Sequence, residues 1–320
     1  MTAAVLLAGE LLIDFLAAAP EGIGGATRFA AVPGGAPGNA AVAASRAGAQ
    51  VAIAARVGDD PFGWRLVRTL AELGVATAAV RVDSERATTL AFSAPQAKDP
   101  AFTFIRGADA HLSPDDIPPE LFVGVGAFGC GGVALSATPA RRAIEVALDR
   151  ATAAGALALF DVNWRPWLWS SPDQARRAFR RILRRIDVVK CNRGELDLLC
   201  PGDRPVEERA HSLVRAGRPA AVVVTLGAHG AIWVTASGVA RHPGFRVRVR
   251  HPVGAGDCFA GNLLAALASR GLPDPVESES LLRWCNAAAA LSAASPLVME
   301  SMPTREDTFA FLQRAVPRPW

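Results

Sequence analysis

No two of the five cysteines (Cys130, Cys191, Cys200, Cys258, Cys285) are spaced C-x-x-C, and their odd number and wide scatter provide neither a zinc nor a redox pair. A reducing cytoplasm is the expected setting. No stretch approaches the roughly 18 uncharged apolar residues that a membrane span needs. The apolar start, Ala3 to Leu16, lacks a preceding basic segment and carries Glu10 and Asp14, so it reads as a buried strand rather than a secretory signal. Internal repeats and low-complexity linkers are also missing, and a single domain covering 1–320 is expected. Charge of one sign is not in excess: 34 Lys and Arg stand against 30 Asp and Glu, spread along the chain. This balance points to no nucleic-acid or membrane partner. The densest basic stretch (Arg176, Arg177, Arg180, Arg181, Arg184, Arg185) alternates at helical spacing with Ala178, Phe179, Ile182, Leu183 and Ile186, the pattern of a solvated helix face. Arg246, Arg248 and Arg250 alternate with Phe245, Val247 and Val249, which predicts a half-exposed strand.

What is present is a large apolar fraction, 51% of 320 residues, enough to bury roughly three quarters of the unfolded surface in one compact body. From about residue 140 helical patterns alternate with short apolar runs. The helical ones are Ala140 to Ala153, Asp173 to Ile186 and Val206 to Ala216; the runs are Leu157 to Val162, Val188 to Cys191 and Ala221 to Leu226. That rhythm predicts βαβ crossovers and a mostly parallel sheet flanked by helices. The first third differs. A strand at Val5 to Ala8, β-like pieces at Leu11 to Leu16 and Thr27 to Val32, and a helix from Asn39 to Ala47 are followed by another strand and helix. Then come Ala76 to Val82, Thr88 to Ser93 and Ala101 to Arg106. With no helices between them, these last pieces predict a small antiparallel β lid, built from insertions at about 9–33 and 76–110, that could cover a substrate.

Gly254-Ala255-Gly256-Asp257 precedes an apolar helix, Phe259 to Leu267. The first amides of a helix lack internal partners and sit at its positive end, so they suit a phosphoryl anion, and glycines let that anion approach. Asp257 would stand beside the anion and could accept the proton of an attacking hydroxyl. The same four residues also suit a plain capped helix start, and locally both readings stand.

Other segments add to this motif. Gly34-Gly35-Ala36-Pro37-Gly38-Asn39, Val57-Gly58-Asp59-Asp60-Pro61-Phe62-Gly63, Asp161-Val162-Asn163-Trp164-Arg165, Asn192-Arg193-Gly194-Glu195 and Thr225-Leu226-Gly227-Ala228-His229-Gly230 occur in order. Together with Gly254 to Asp257 they resemble the motifs of the PfkB, or ribokinase-like, family of carbohydrate kinases over nearly the whole chain. Within it, Gly9-Glu10-Leu11-Leu12-Ile13-Asp14, Phe104-Ile105-Arg106 with Ala108-Asp109, and Leu168-Trp169 look most like fructokinases.

The resemblance implies a ribokinase-like α/β fold and transfer of the γ-phosphoryl of Mg-ATP to a sugar hydroxyl, with fructose to fructose 6-phosphate as the first expectation. Ribose, 2-keto-3-deoxygluconate or a nucleoside is an alternative acceptor, and a non-catalytic sugar-binding homologue is a further one. It implies Asp257 as base and Gly254, Ala255 and Gly256 as the anion hole. Asp14, Gly34, Gly35, Asn39, Arg106, Asn163 and Arg165 are implied at the sugar. Each has a plainer reading: loop aspartate, turn and cap, exposed lid arginine, or an Asp161–Arg165 salt bridge. Asn192 and Glu195 are implied at the magnesium-bound phosphates, Glu195 through water, although their spacing is also that of a capping box. Thr225, Gly227, Gly230 and Asn286 are implied at the nucleotide, and exposed lid strands suggest a homodimer.

Gly124-Val125-Gly126-Ala127-Phe128-Gly129 fits a dinucleotide fingerprint but opens no helix and has no acidic residue about 20 positions on, so it reads as a glycine-rich strand and loop. One departure matters. His251-Pro252-Val253 stands where potassium-activated members carry an aspartate, and an imidazole does not replace that charge, so no potassium requirement is expected.

Overall fold

The computed structural model describes residues 4–17, 22–94, 102–217 and 219–318. The chain runs β1 (Ala4–Ala8), β2 (Leu12–Ala17), β3 (Phe29–Gly34), α1 (Ala36–Arg46), β4 (Gln50–Gly58), α2 (Pro61–Glu72), β5 (Val75–Ala76), β6 (Val80–Asp83), β7 (Thr89–Ser93) and β8 (Phe102–Ile105). It continues through β9 (Val125–Gly131), α3 (Thr138–Ala153), β10 (Leu157–Asp161), α4 (Pro172–Leu183), β11 (Val188–Asn192), α5 (Arg193–Leu199), α6 (Val206–Arg215) and β12 (Ala221–Thr225). Last come β13 (Ala231–Thr235), β14 (Val239–His242), α7 (Ala255–Arg270), α8 (Pro275–Ala294) and α9 (Arg305–Leu312).

A ten-stranded sheet in the order β14-β13-β12-β11-β10-β9-β1-β4-β5, with β6 also on β4, forms the body. It is parallel except where β13 pairs with β12 and β14. Its strands are apolar on both faces because helices cover both. In β1, Leu6 joins Phe128, Phe160, Phe179 and Leu196 in the core on one face, while Val5 and Leu7 join Ile53, Phe259, Leu263 and Leu282 on the other. α4 buries Ala178, Phe179 and Ile182 and turns Arg177, Arg180 and Arg181 to solvent, as its periodicity predicts. The carboxyl ends of β1, β9, β10, β11 and β12 share one edge, which is where open α/β sheets build their sites.

A second, four-stranded sheet in the order β3-β2-β7-β8 sits apart from the first. Its aromatic face stacks Phe15 on Phe92 at 4.9 Å and sets Phe62 of α2 edge-on to Phe15 at 5.7 Å. Phe102 stacks on Trp167 at 5.1 Å, tying β8 to the loop after β10. Asp60 caps α2 and also accepts from the amide of Thr88, linking body to second sheet.

Three expectations are corrected. Ala76 to Val82 belongs to the main sheet, because β5 and β6 pair parallel with β4. The second sheet is not wholly antiparallel, since β2 runs parallel to β7. Residues 246–250 form no strand. Phe245 makes only an isolated bridge to Pro317, and the amides of Arg250 and His251 both donate to the Ala293 carbonyl of α8. Those amides are therefore lost to any ladder, and Pro252 has none to give. Parts of the two inserted segments, 18–21 and 95–101, lie outside the described residues.

Candidate active site

α7 begins at the sheet's carboxyl edge. Gly254 is its cap with φ 84°, a left-handed conformation, and a Cβ there would lie 2.4 Å from Val298 Cγ1. Glycine is thus required twice over, by backbone and by space. Ala255 and Gly256 lie in the first turn, whose amides have no helical acceptor before them. Asp257 follows in the same turn, at the positive end of a 16-residue helix.

Asp257 accepts a hydrogen bond of 2.8 Å from Asn39 Nδ2 of α1. Burial, then the neighbouring charge of Asp161, pushes its carboxyl up to about 6, against the pull of Asn39, Lys190 and Arg165. A carboxylate so placed holds a proton weakly enough to release it and strongly enough to take one from a hydroxyl. Asn39 itself is 4% exposed, and its Oδ1 is buried with no partner. An acceptor in that state suits an incoming hydroxyl.

β2 and β3 set Asp14 opposite Val32 and against Gly34, where a Cβ would lie 2.1 Å from Asp14 Oδ2. Gly34 therefore makes room for this carboxylate, and Gly35 caps α1 just before Asn39. Burial, then the charge of Asp257, raises Asp14 to about 7, with Arg165 opposing. Asp14, Arg165, Asn39 and Asp257 thus converge from four separate elements. Asn163, just before Arg165, is the one non-glycine among the described residues with positive φ, 35°. That strained geometry turns the chain out of β10 and is of the kind that collects at functional sites.

Arg106 is not free in the second sheet: it pairs with Asp109 at 2.7 Å and donates to Ser136 Oγ at 2.9 Å. Asp161 does not pair with Arg165; its partner is Lys190, at 2.8 Å. Asn192 and Glu195 form the capping box of α5, with Glu195 accepting from the Asn192 amide at 2.8 Å and from the Trp164 amide at 3.0 Å. Burial, then Asp161, raises the Glu195 carboxyl, while Lys190 and those two amides hold it down. Thr225 ends β12 and donates to the Cys191 carbonyl. Gly227 and Gly230 shape the turn into β13, and Gly230 packs on the carbonyl of His242. Asn286 of α8 is buried against the same His242, 3.2 Å from its Nδ1. These four residues gather at the β12–β14 end, separate from the Asp14 and Asp257 group.

From Val125 the Gly124 to Gly129 run is strand β9, with Gly126 against the backbone of Ala268 and Gly129 against Leu264. It opens no helix. The described cysteines are all free, and burial pushes the thiols of Cys130, Cys191, Cys258 and Cys285 up, so none of these four is a nucleophile. A cavity of about 520 Å³ between Asn262, Arg270, Trp284 and Arg305 contains none of the site residues.

Two of the buried charged groups, both near Asp257, were assigned no role from the sequence. Lys190 stands in the apolar run Val188 to Cys191, and a lysine there, on a strand covered on both faces, is itself the signal. Glu10, at the end of β1, is 2% exposed with Oε2 unpartnered, and burial raises it to about 8.

Known proteins resemble this chain in sequence and fold. The pfkB family carbohydrate kinase domain matches residues 2–305. Fructokinase-1 of Zea mays is 33% identical over 313 residues, which is 96% of this chain and 97% of that one. The crystal structure of a fructokinase from Xylella fastidiosa with bound ATP superposes with a TM-score of 0.88 at 29% identity, covering 98% of this chain and 99% of that one. A fructokinase double mutant from Vibrio cholerae O395, bound to fructose, ADP and potassium ion, gives 0.85 at 28% identity, covering 97% and 98%. The chain belongs to the pfkB family of carbohydrate kinases.

Proposed function

We propose that this kinase transfers the γ-phosphoryl group of ATP to the 6-hydroxyl of fructose, with Asp257 as base. The observation that carries this is Asp257 in the first turn of α7, bonded to Asn39 and with its carboxyl near 6. Asp257 takes the hydroxyl proton as the sugar oxygen bonds to Pγ. The bond from Pγ to the β–γ bridging oxygen breaks, and ADP leaves with that electron pair. The first-turn amides at Gly254 to Gly256 face the charge on the moving phosphoryl group.

Asp14, Gly34, Gly35, Asn39, Asn163 and Arg165 hold the sugar. Arg106, fixed by Asp109 and Ser136, supports the wall of the pocket. Likeness to fructokinases over nearly the whole length supports fructose over ribose, 2-keto-3-deoxygluconate or a nucleoside. Thr225, Gly227, Gly230 and Asn286 line the nucleotide. Among the described residues no cluster of three or more His, Cys, Asp or Glu could cage a metal. Asn192 and Glu195 would hold a magnesium ion bound to the phosphates, through water. It would neutralise phosphate charge. His251 at the approach to α7 supplies no carboxylate, which supports turnover without potassium. The second sheet closes over the sugar as a lid, and its edge strands β3 and β8 support a homodimer through that lid. A cytoplasmic setting fits: among the described residues no helix is long and apolar enough to cross a membrane. A coupled ADP-release assay across fructose, ribose, 2-keto-3-deoxygluconate and nucleosides tests the reading, and fructose should give the highest kcat/KM. Sugar binding without ADP release would point to a non-catalytic homologue instead.

A further inference from the structure

Asp161 and Lys190 are direct register partners on the parallel strands β10 and β11, so their side chains leave the sheet on one face. Lys190 Nζ lies 2.8 and 3.1 Å from the two carboxylate oxygens of Asp161. Lys190 is 6% exposed. It also reaches the first turn of α7: a Cβ built on Gly256 would lie 3.1 Å from Nζ. The absence of a side chain at Gly256 leaves room for the charge this close to those amides.

Helix-end amides offer partial charges, whereas a phosphoryl group in flight carries whole ones. We infer that Lys190 is a further catalytic residue of the phosphoryl-transfer site, its ammonium meeting the transferring group beside Gly256 while Asp161 fixes its position. This rests on the kinase reading. Lys190 makes and breaks no bond; the proton still goes to Asp257 and the leaving pair to ADP. Burial lowers the affinity of Lys190 for its proton, but Asp161, Glu195 and Asp257 more than offset this, so it remains an ammonium. The position suits a charge stabiliser and excludes a proton donor.

The test compares wild type, Lys190→Met, Lys190→Arg and the double variant Lys190→Met with Asp161→Asn, which removes the pair without leaving a lone buried charge. In both Lys190→Met chains kcat should fall roughly a hundredfold while KM for the sugar changes by less than about threefold. The double variant should melt closer to wild type than Lys190→Met does, yet keep the kinetic loss. Lys190→Arg, which keeps the charge, should regain about tenfold of it. The acid limb of the rate profile should also move up in pH in the single Lys190→Met chain, where the charge of Asp161 remains, but not in the double variant, because Asp161 raises the Asp257 carboxyl more than Lys190 lowers it. Asp257 there keeps Asn39 and Arg165 as its stabilising neighbours and faces Glu10 and Asp14, with Asp161 still charged only in the single variant. A double variant with near wild-type kcat would show that the pair is structural and overturn the inference. A wild type that releases no ADP with any acceptor would overturn the kinase reading and this inference with it.

Discussion

Asn39 and Asp257 stand 218 positions apart in sequence and are joined by a hydrogen bond of 2.8 Å from Nδ2 to Oδ2. α1 and α7 pack side by side to make it, so the sugar-side motif and the phosphoryl-side motif meet in one contact. The bond has two consequences: it stabilises the ionised form of Asp257, and it fixes the Asn39 amide with its Oδ1 buried and unpartnered.

Replacing Asn39 by Ala should therefore do two things at once. The sugar loses an acceptor and Asp257 loses a donor, so kcat/KM should drop by about 10- to 100-fold, in line with about 1.5–3 kcal/mol for a hydrogen bond to a charged group. The pH at which activity is half-maximal should rise as well. Steady-state kinetics across pH checks both, and an unmoved midpoint would show that the bond does not tune Asp257.

In wild type, activity should rise with pH through about 6 and level off above it, because the base must be ionised and its carboxyl is held near that value. Burial and Asp161 push this midpoint up; Asn39, Lys190 and Arg165 hold it down. A profile of kcat/KM against pH with its acid limb at the ordinary carboxylate value near 4 would contradict the description of the site.

Stability should run the other way. Glu10 has a folded-state pKa of about 8, above its ordinary value of 4.5. Its protonated form thus favours the fold, and that contribution fades as pH rises toward and past 8. Between pH 7 and 8 His242, lowered to about 4 by burial and then Arg283, is neutral in the fold and only partly protonated when unfolded, so its opposite slope is small beside that of Glu10. Thermal melting of the unliganded protein should show a lower Tm at pH 8 than at pH 7, and Glu10→Gln should flatten that fall. An equal slope in both chains would remove Glu10 as its source.

Exchanging potassium for a large organic cation at constant ionic strength should leave turnover unchanged, because His251 stands where a cation-binding carboxylate would be needed. A rate that climbs severalfold in potassium would show that the cation is held by other groups.

How much of this could be read from the sequence depended on whether the signal was local. Gly254 to Asp257 was legible because a left-handed cap and an N-terminal acid both leave their mark within four residues. The main sheet was legible because βαβ periodicity repeats. Pairing partners were not: Ala76 to Val82 has the same β-like pattern whether it joins the body or the second sheet, and only the register with β4 decides. Alternation misled at Arg246 to Arg250, where α8 captures the amides that a strand would have used. Asp161 was given Arg165 as its alternative partner because the two are near in sequence, whereas its partner Lys190 lies across the sheet.

The most direct test of the account is Asp257→Asn, which keeps the shape of the side chain beside Asn39 and removes its basicity. The account predicts that kcat falls by about a hundredfold or more, about 2.7 kcal/mol of barrier, while calorimetric titration shows ATP and fructose binding close to wild type. Near-normal turnover in that variant would contradict Asp257 as the base.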